Sequence, residues 1–161
     1  MDMAKINFDG AVFSSKNKSG IGIVIRDNLG FVITSCSKKL QQAYSSSEVK
    51  ALAAATALSF AADIGINKAI LEGDLLEVIR ALSQDATTLS LIGPWIEDAK
   101  IYSNSFFKLQ YFHTRREWRE SNSFAHNLAK YAVDISDFTI WMEDVPSHVS
   151  TVLKADLARL S

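Results

Sequence analysis

The sequence predicts a single α/β domain, with a mixed sheet of five strands (three antiparallel, then two parallel) flanked by helices. Two observations predict this class. Three β-prone runs fill the first forty residues, and the hydrophobic spacing then changes to that of helices alternating with short strands. Such an order is typical of a mixed sheet with helices on its faces. The length of 161 residues suits one domain.

The first three predicted strands cover residues 6–13, 20–25 and 31–34. The turn signal Asp27-Asn28-Leu29-Gly30 joins the second to the third, so we expect an antiparallel meander. An alanine-rich segment with helical spacing follows at 47–64, and Gly65 is a natural helix stop.

In the second half of the chain, the sequence predicts helices and strands in alternation. A short apolar run at 68–72 is typical of a buried parallel strand, and an alternating run at 106–112 indicates the fifth strand. Further helices are predicted at 75–82, at 91–103 and around Phe124, Leu128, Ala132 and Ile135. We therefore expect a domain over residues 1–137, with residues 138–161 as a C-terminal extension packed on it or trailing it.

Composition excludes several classes of protein. Contents of 48% hydrophobic and 22% charged residues exclude dominant disorder. The single cysteine, Cys36, excludes a disulfide scaffold and favours an intracellular location, nuclear or cytoplasmic. No apolar run reaches the roughly 18 residues of a membrane span, so no membrane partner is expected. Because the net charge is -1, nucleic acid would have to be bound through a local basic patch or through bound cations.

Three carboxylates stand out by position. Asp9 lies within the first strand, Glu48 opens the long helix, and Asp74 follows the fourth strand at its carboxyl end, where α/β sheets place their sites. Each also has a structural interpretation. Glu48 fits a capping box that begins at Ser45, Asp74 fits the cap of the next helix, and Asp9 with its neighbouring glycine fits a turn.

Several short motifs occur together with these acids in a fixed order. They are Phe8-Asp9-Gly10-Ala11, Gly20-Ile21-Gly22, Ile25-Arg26-Asp27-Asn28-Leu29-Gly30, Glu48 with Ala51 and Leu52, Leu71-Glu72-Gly73-Asp74, and Arg119-Glu120-Ser121-Asn122 with Ala125-His126 and Leu128-Ala129. Over residues 4–156 this set resembles the ribonuclease H domains of plants, the reverse-transcriptase-associated kind related to non-LTR retroelements. The resemblance implies a ribonuclease H-like fold and hydrolysis of the RNA strand of RNA–DNA hybrids.

The resemblance also implies a site with two divalent cations, Mg²⁺ or Mn²⁺. In that pattern Asp9 is similar to the bridging carboxylate, Glu48 to the helix glutamate and Asp74 to the third acid. Two cations about 4 Å apart activate water and neutralise the phosphate, which is the chemistry that phosphodiester hydrolysis requires.

The fourth acidic position of that pattern is filled by His126. Imidazole is neutral and softer than carboxylate, and it prefers manganese or zinc to magnesium. We therefore expect activity that is weakened, manganese-favouring or absent. The alternative is a catalytically inactive domain that binds nucleic acid or protein on the same fold. A proofreading-type exonuclease is disfavoured, because Ala11 stands where that class needs an acid.

Candidate nucleic-acid contacts lie in two places. Arg115, Arg116 and Arg119 form a local basic cluster suited to phosphates, and Asn122 is placed either to contact nucleic acid or to cap the helix that follows. Gly10 would let a phosphate approach the backbone beside the first acid.

Overall fold

The computed structural model describes residues 3–84, 91–114 and 122–142. Its strands are β1 (Ala4–Phe13), β2 (Lys18–Arg26), β3 (Val32–Leu40), β4 (Lys68–Gly73), β5 (Lys108–His113) and β6 (Phe138–Met142). Its α-helices are α1 (Ser46–Asp63), α2 (Leu76–Ser83), α3 (Gly93–Ser103) and α4 (Ser123–Tyr131), with 3-10 turns at Ser14–Lys16 and Ala132–Asp134.

The six strands form one mixed sheet in the order β5-β4-β1-β2-β3-β6. The predicted meander is confirmed, because β1, β2 and β3 pair antiparallel. The predicted parallel strands are confirmed as well, with β4 beside β1 and β5 beside β4.

The prediction of five strands was one strand short. β6 pairs antiparallel with β3, so residues 138–142 extend the sheet, while the rest of the expected extension lies outside the described residues. Five residues on a sheet edge give little periodicity to detect, and Phe138, Ile140 and Met142 remain partly exposed along one side of the strand.

Helices cover both faces of the sheet. The alanine-rich α1 packs on β1 and α3, and its alanines are buried in the main core together with Ile6, Phe8 and Leu71. On the opposite face α4 lies against β2, where Phe124 and Leu128 pack on Val24. Among the described residues, no helix is both long and apolar enough to cross a membrane.

The close approach of α4 to the sheet depends on glycine in β2. A Cβ atom built on Gly22 would lie 2.0 Å from the carbonyl oxygen of Ala125 and 2.4 Å from the amide nitrogen of Ala129. Any larger residue would therefore push the helix outward. Because side chains alternate along a strand, Ile6 and Phe8 of β1 enter the main core, whereas Asn7 and Asp9 point toward α4. This alternation positions the candidate site.

Candidate functional site

The centre of the site is the carboxylate of Asp9, whose side chain is 1% exposed. Its Oδ1 accepts a hydrogen bond from the backbone amide of Gly10 at 2.9 Å. Its Oδ2 lies 2.9 Å from Nδ1 of His126, one turn into α4. The structure therefore brings together the first and the fourth of the predicted site residues.

Lys50 joins Asp9 to Asp74. Its Nζ lies 2.9 Å from Oδ1 of Asp74 and 3.5 Å from Oδ1 of Asp9, and its side chain is 18% exposed. Burial acts to lower the pKa of Lys50, but the charges of Asp9 and Asp74 and their hydrogen bonds outweigh it and raise the pKa above its ordinary value. The side chain is thus a firmly protonated cation between two carboxylates.

Sequence reasoning missed Lys50, because no local pattern assigns a lysine to carboxylates in other parts of the chain. The residue lies in the second turn of α1, between the buried residues Val49 and Ala51. Its two acidic partners come from β1 and from the segment after β4.

Glu48 contacts Ser45, the N-cap residue of α1, through both its backbone and its side chain. Its backbone amide donates to Oγ of Ser45 at 3.2 Å, and its Oε1 accepts from the same hydroxyl at 3.0 Å. Its carboxylate is therefore engaged at the N-terminus of α1. Among the described residues, no three histidine, cysteine, aspartate or glutamate side chains converge closely enough to hold a metal ion.

Asp74 does not cap α2, so that structural interpretation was wrong. The N-cap residue is Leu75, which makes no side-chain cap hydrogen bond, and the Asp74 carboxylate instead contacts Lys50. Nε2 of His113, at the end of β5, lies 3.1 Å from the carbonyl oxygen of Asp74. The segment after β4 is thus held by two contacts of Asp74, its side chain with Lys50 and its carbonyl oxygen with His113. His113 therefore has a structural role here.

Two predicted nucleic-acid contacts lie inside the domain. A Cβ atom on Gly10 would lie 2.8 Å from Cγ1 of Val49, so the glycine allows α1 to pack closely on β1. Asn122 is 4% exposed, and its Nδ2 donates to the carbonyl oxygen of Phe8 at 3.2 Å. Both features favour structural roles. Arg115, Arg116 and Arg119 lie outside the described residues.

Asn122 also belongs to a second polar group, which we call the inner cluster: Lys5, Asn7, Glu72 and Asn122. Nδ2 of Asn7 lies 3.0 Å from Oε2 of Glu72 and 3.3 Å from Oδ1 of Asn122. Lys5 Nζ lies 3.5 Å from Oε1 of Glu72. We call the group formed by Asp9, Lys50, Asp74 and His126 the outer cluster.

The outer cluster offers two carboxylates, those of Asp9 and Asp74, to a divalent cation. Asp9 and Asp74 converge on one point, because both approach the same ammonium, and carboxylate oxygens are the hard ligands that Mg²⁺ and Mn²⁺ prefer. The arrangement with four ligands is not assembled, since Glu48 contacts Ser45 and Lys50 stands between the two aspartates.

The mixed sheet, the helices on its two faces and the buried first-strand aspartate define the ribonuclease H-like class of α/β domains. Within that class, a family model described as reverse transcriptase-like matches residues 7–132, and the chain belongs to this family. Among curated protein sequences, none is significantly similar to the chain.

Solved structures agree on the fold. The chain is similar to ribonuclease H1 of the archaeon Halobacterium salinarum, with 22% identity, a TM-score of 0.73, and coverage of 83% of this chain and 98% of that one. The N-terminal ribonuclease H domain of a Mycobacterium tuberculosis protein is 18% identical, with a TM-score of 0.71 and coverage of 83% and 95%. The compost-derived LC11 ribonuclease H1, solved in complex with an RNA/DNA hybrid, is 18% identical with a TM-score of 0.69 and coverage of 81% and 96%.

Proposed function

We propose that the chain is a metal-dependent nucleic-acid hydrolase that cleaves the RNA strand of RNA–DNA hybrids, with activity weakened by His126. One observation carries the proposal. Asp9, in β1, and Asp74, just after β4, both contact the ammonium of Lys50, and Asp9 also contacts His126. Family membership and the hybrid complex of LC11 ribonuclease H1 support the choice of substrate.

Asp9 and Asp74 are the residues that would hold Mg²⁺ or Mn²⁺, and Glu48 would join them by leaving Ser45. A bound divalent cation would supply an activated water and neutralise charge on the phosphate. The chain itself holds Asp9 in place through the amide of Gly10 and fixes the Asp74 backbone through His113. Water can reach the cluster, because the Asp74 side chain is 31% exposed and that of His126 is 52% exposed.

His126 accounts for the weak cleavage activity that we expect. Its Nδ1 lies 2.9 Å from Oδ2 of Asp9, and its imidazole supplies no negative charge to a bound cation. A site with one carboxylate fewer binds Mg²⁺ less tightly, and an imidazole shifts its preference toward Mn²⁺.

Substrate contacts and cellular setting extend the proposal. Arg115, Arg116 and Arg119 are proposed to contact phosphates of the hybrid. The order of the sequence motifs supports a relation to plant retroelement domains. An intracellular location, nuclear or cytoplasmic, is supported by the presence of a single cysteine, Cys36.

A second candidate function is an inactive domain that binds nucleic acid or protein on the same fold. Two contacts favour it. Lys50 already neutralises the aspartates, and Ser45 already engages Glu48.

Cleavage of a labelled RNA–DNA hybrid by the full chain, with Mg²⁺ and separately with Mn²⁺, tests the proposal. We expect slow cleavage that is faster with Mn²⁺ and is lost in Asp9→Asn. Hybrid binding is measured alongside by fluorescence anisotropy. A folded protein that binds the hybrid yet cleaves it with neither ion would establish the inactive binding domain instead.

A further inference from the structure

We infer that Lys50 is a resident counter-ion of the outer cluster, which a divalent cation must displace in order to bind. The inference rests on the proposed function, since it concerns the same cation position. Its basis is the placement of one ammonium within 2.9 Å of Asp74 and 3.5 Å of Asp9. No sequence motif pointed to this residue.

Charge explains why the lysine stabilises the outer cluster. Two carboxylates that face each other repel, and a cation between them removes that cost. The ammonium is a compact point charge with three donors, so it can serve both carboxylates at once. Both oxygens of Asp9 have further partners, because Oδ1 also accepts from the Gly10 amide and Oδ2 contacts His126.

Placement in the fold makes Lys50 a persistent feature. Its neighbours Val49 and Ala51 are fully buried, so the backbone from which it projects is fixed in the core. The flexible four-carbon stem lets the charged end withdraw without moving the helix. A divalent cation therefore competes with the lysine instead of entering a preformed vacant site, and its affinity is lowered accordingly.

Mn²⁺ binding to the full-length Lys50→Met protein, measured without nucleic acid by the EPR signal of free Mn²⁺, tests the inference. Because a positive charge about 4 Å away is removed, the Kd for Mn²⁺ should fall by roughly tenfold or more relative to the wild type. Lys108→Met is the matched control. It loses the same charge from an exposed side chain at the opposite end of β5 from His113, so its Kd should not change.

A second variant keeps the test sound if Lys50→Met is unstable. Lys50→Arg retains the charge and should keep the weak affinity of the wild type. Equal Mn²⁺ affinity in the wild type and Lys50→Met would overturn the inference, as would the absence of Mn²⁺ binding in both. Neither result depends on cleavage. A wild type that fails to cleave hybrid, while Lys50→Met binds Mn²⁺ more tightly, contradicts the proposed function and leaves this inference standing.

Discussion

The inner and outer clusters meet β1 and the end of β4 at positions two residues apart, yet they are held in different ways. Asn7 and Glu72, which pair in the register of β1 and β4, are 0% and 6% exposed. Asp9 lies two residues after Asn7, and Asp74 lies two residues after Glu72. In this outer cluster the side chains of Asp74 and His126 are 31% and 52% exposed.

The difference separates a structural network from a site that can exchange its partners. In the inner cluster, Asn7 and Asn122 bond to each other and to neighbours inside the domain, so their amide groups are held by buried hydrogen bonds. The outer cluster is held by the Lys50 ammonium and the His126 imidazole, whose side chains are 18% and 52% exposed. Ions and phosphates from solvent can replace those partners, whereas they cannot reach the inner amides.

Substituting Gly22 with alanine should have the largest effect, because it disturbs both clusters through α4. The added Cβ would overlap the backbone of Ala125 and Ala129. We expect a loss of about 3 kcal/mol or more of unfolding free energy, measured by urea denaturation. Gly65→Ala is the matched control. Nothing lies within 4 Å of its Cβ, and its φ of +89° alone should cost about 1 kcal/mol. Equal losses would show that α4 can move away freely.

The variant Glu72→Gln should weaken the inner cluster alone. The carboxylate charge of Glu72 pairs with Lys5 and strengthens the hydrogen bond from Asn7, so its loss weakens both contacts. The variant also leaves a neutral amide group facing Lys5. Because Lys5 is 43% exposed, the ion pair is partly screened, and we expect a loss of about 1–2 kcal/mol in urea denaturation. No change in stability would mean that the network contributes nothing to the fold.

The variant His126→Asp should instead improve the outer cluster as a site for Mg²⁺. A fourth carboxylate would favour Mg²⁺, and cleavage of hybrid with Mg²⁺ should rise about tenfold, a change of about 1.4 kcal/mol in the barrier. Without divalent ions the same variant should be less stable, since the new charge faces Asp9. His126→Asn, which adds no charge, is the control. A gain shared by the asparagine variant would refute the charge explanation.

The smallest stability effect is expected from Glu48→Gln. The amide oxygen of glutamine can still accept from the Ser45 hydroxyl, so the unfolding free energy should change by less than about 0.5 kcal/mol. Hybrid cleavage should nevertheless fall, because an amide binds cations less strongly than a carboxylate. Ser45→Ala provides the comparison, with an expected loss of about 1 kcal/mol for the missing cap. Unchanged cleavage would show that Glu48 acts only in the helix cap.

Strong local patterns made most of the fold predictable. The three β-prone runs, the alanine-rich helix and the buried run at β4 each have a clear period, and the structure confirms them. The sixth strand was missed because five residues on a sheet edge, with Phe138 and Met142 partly exposed, have no comparable signal.

The site was only partly predictable, because its partners come from distant parts of the chain. The positions of Asp9, Asp74 and His126 pointed to one place, and the structure joins Asp9 to His126 across 117 residues. Lys50 was missed, since no local rule assigns a lysine to carboxylates on two strands. The burial of Asn122 could not be predicted either, because its partners Asn7 and Phe8 lie more than a hundred residues away in the sequence.

The most direct test compares hybrid cleavage by Asp74→Asn and Glu72→Gln, two variants on one strand end that each lose one negative charge. With Mn²⁺, and below the melting temperature of both, Asp74→Asn should lower the rate more than about 100-fold, since even indirect supports of a metal site cost 10–100-fold. Glu72→Gln should stay within about twofold of the wild type, because it acts on stability. Equal losses in the two variants would contradict the division between a structural inner cluster and a functional outer one.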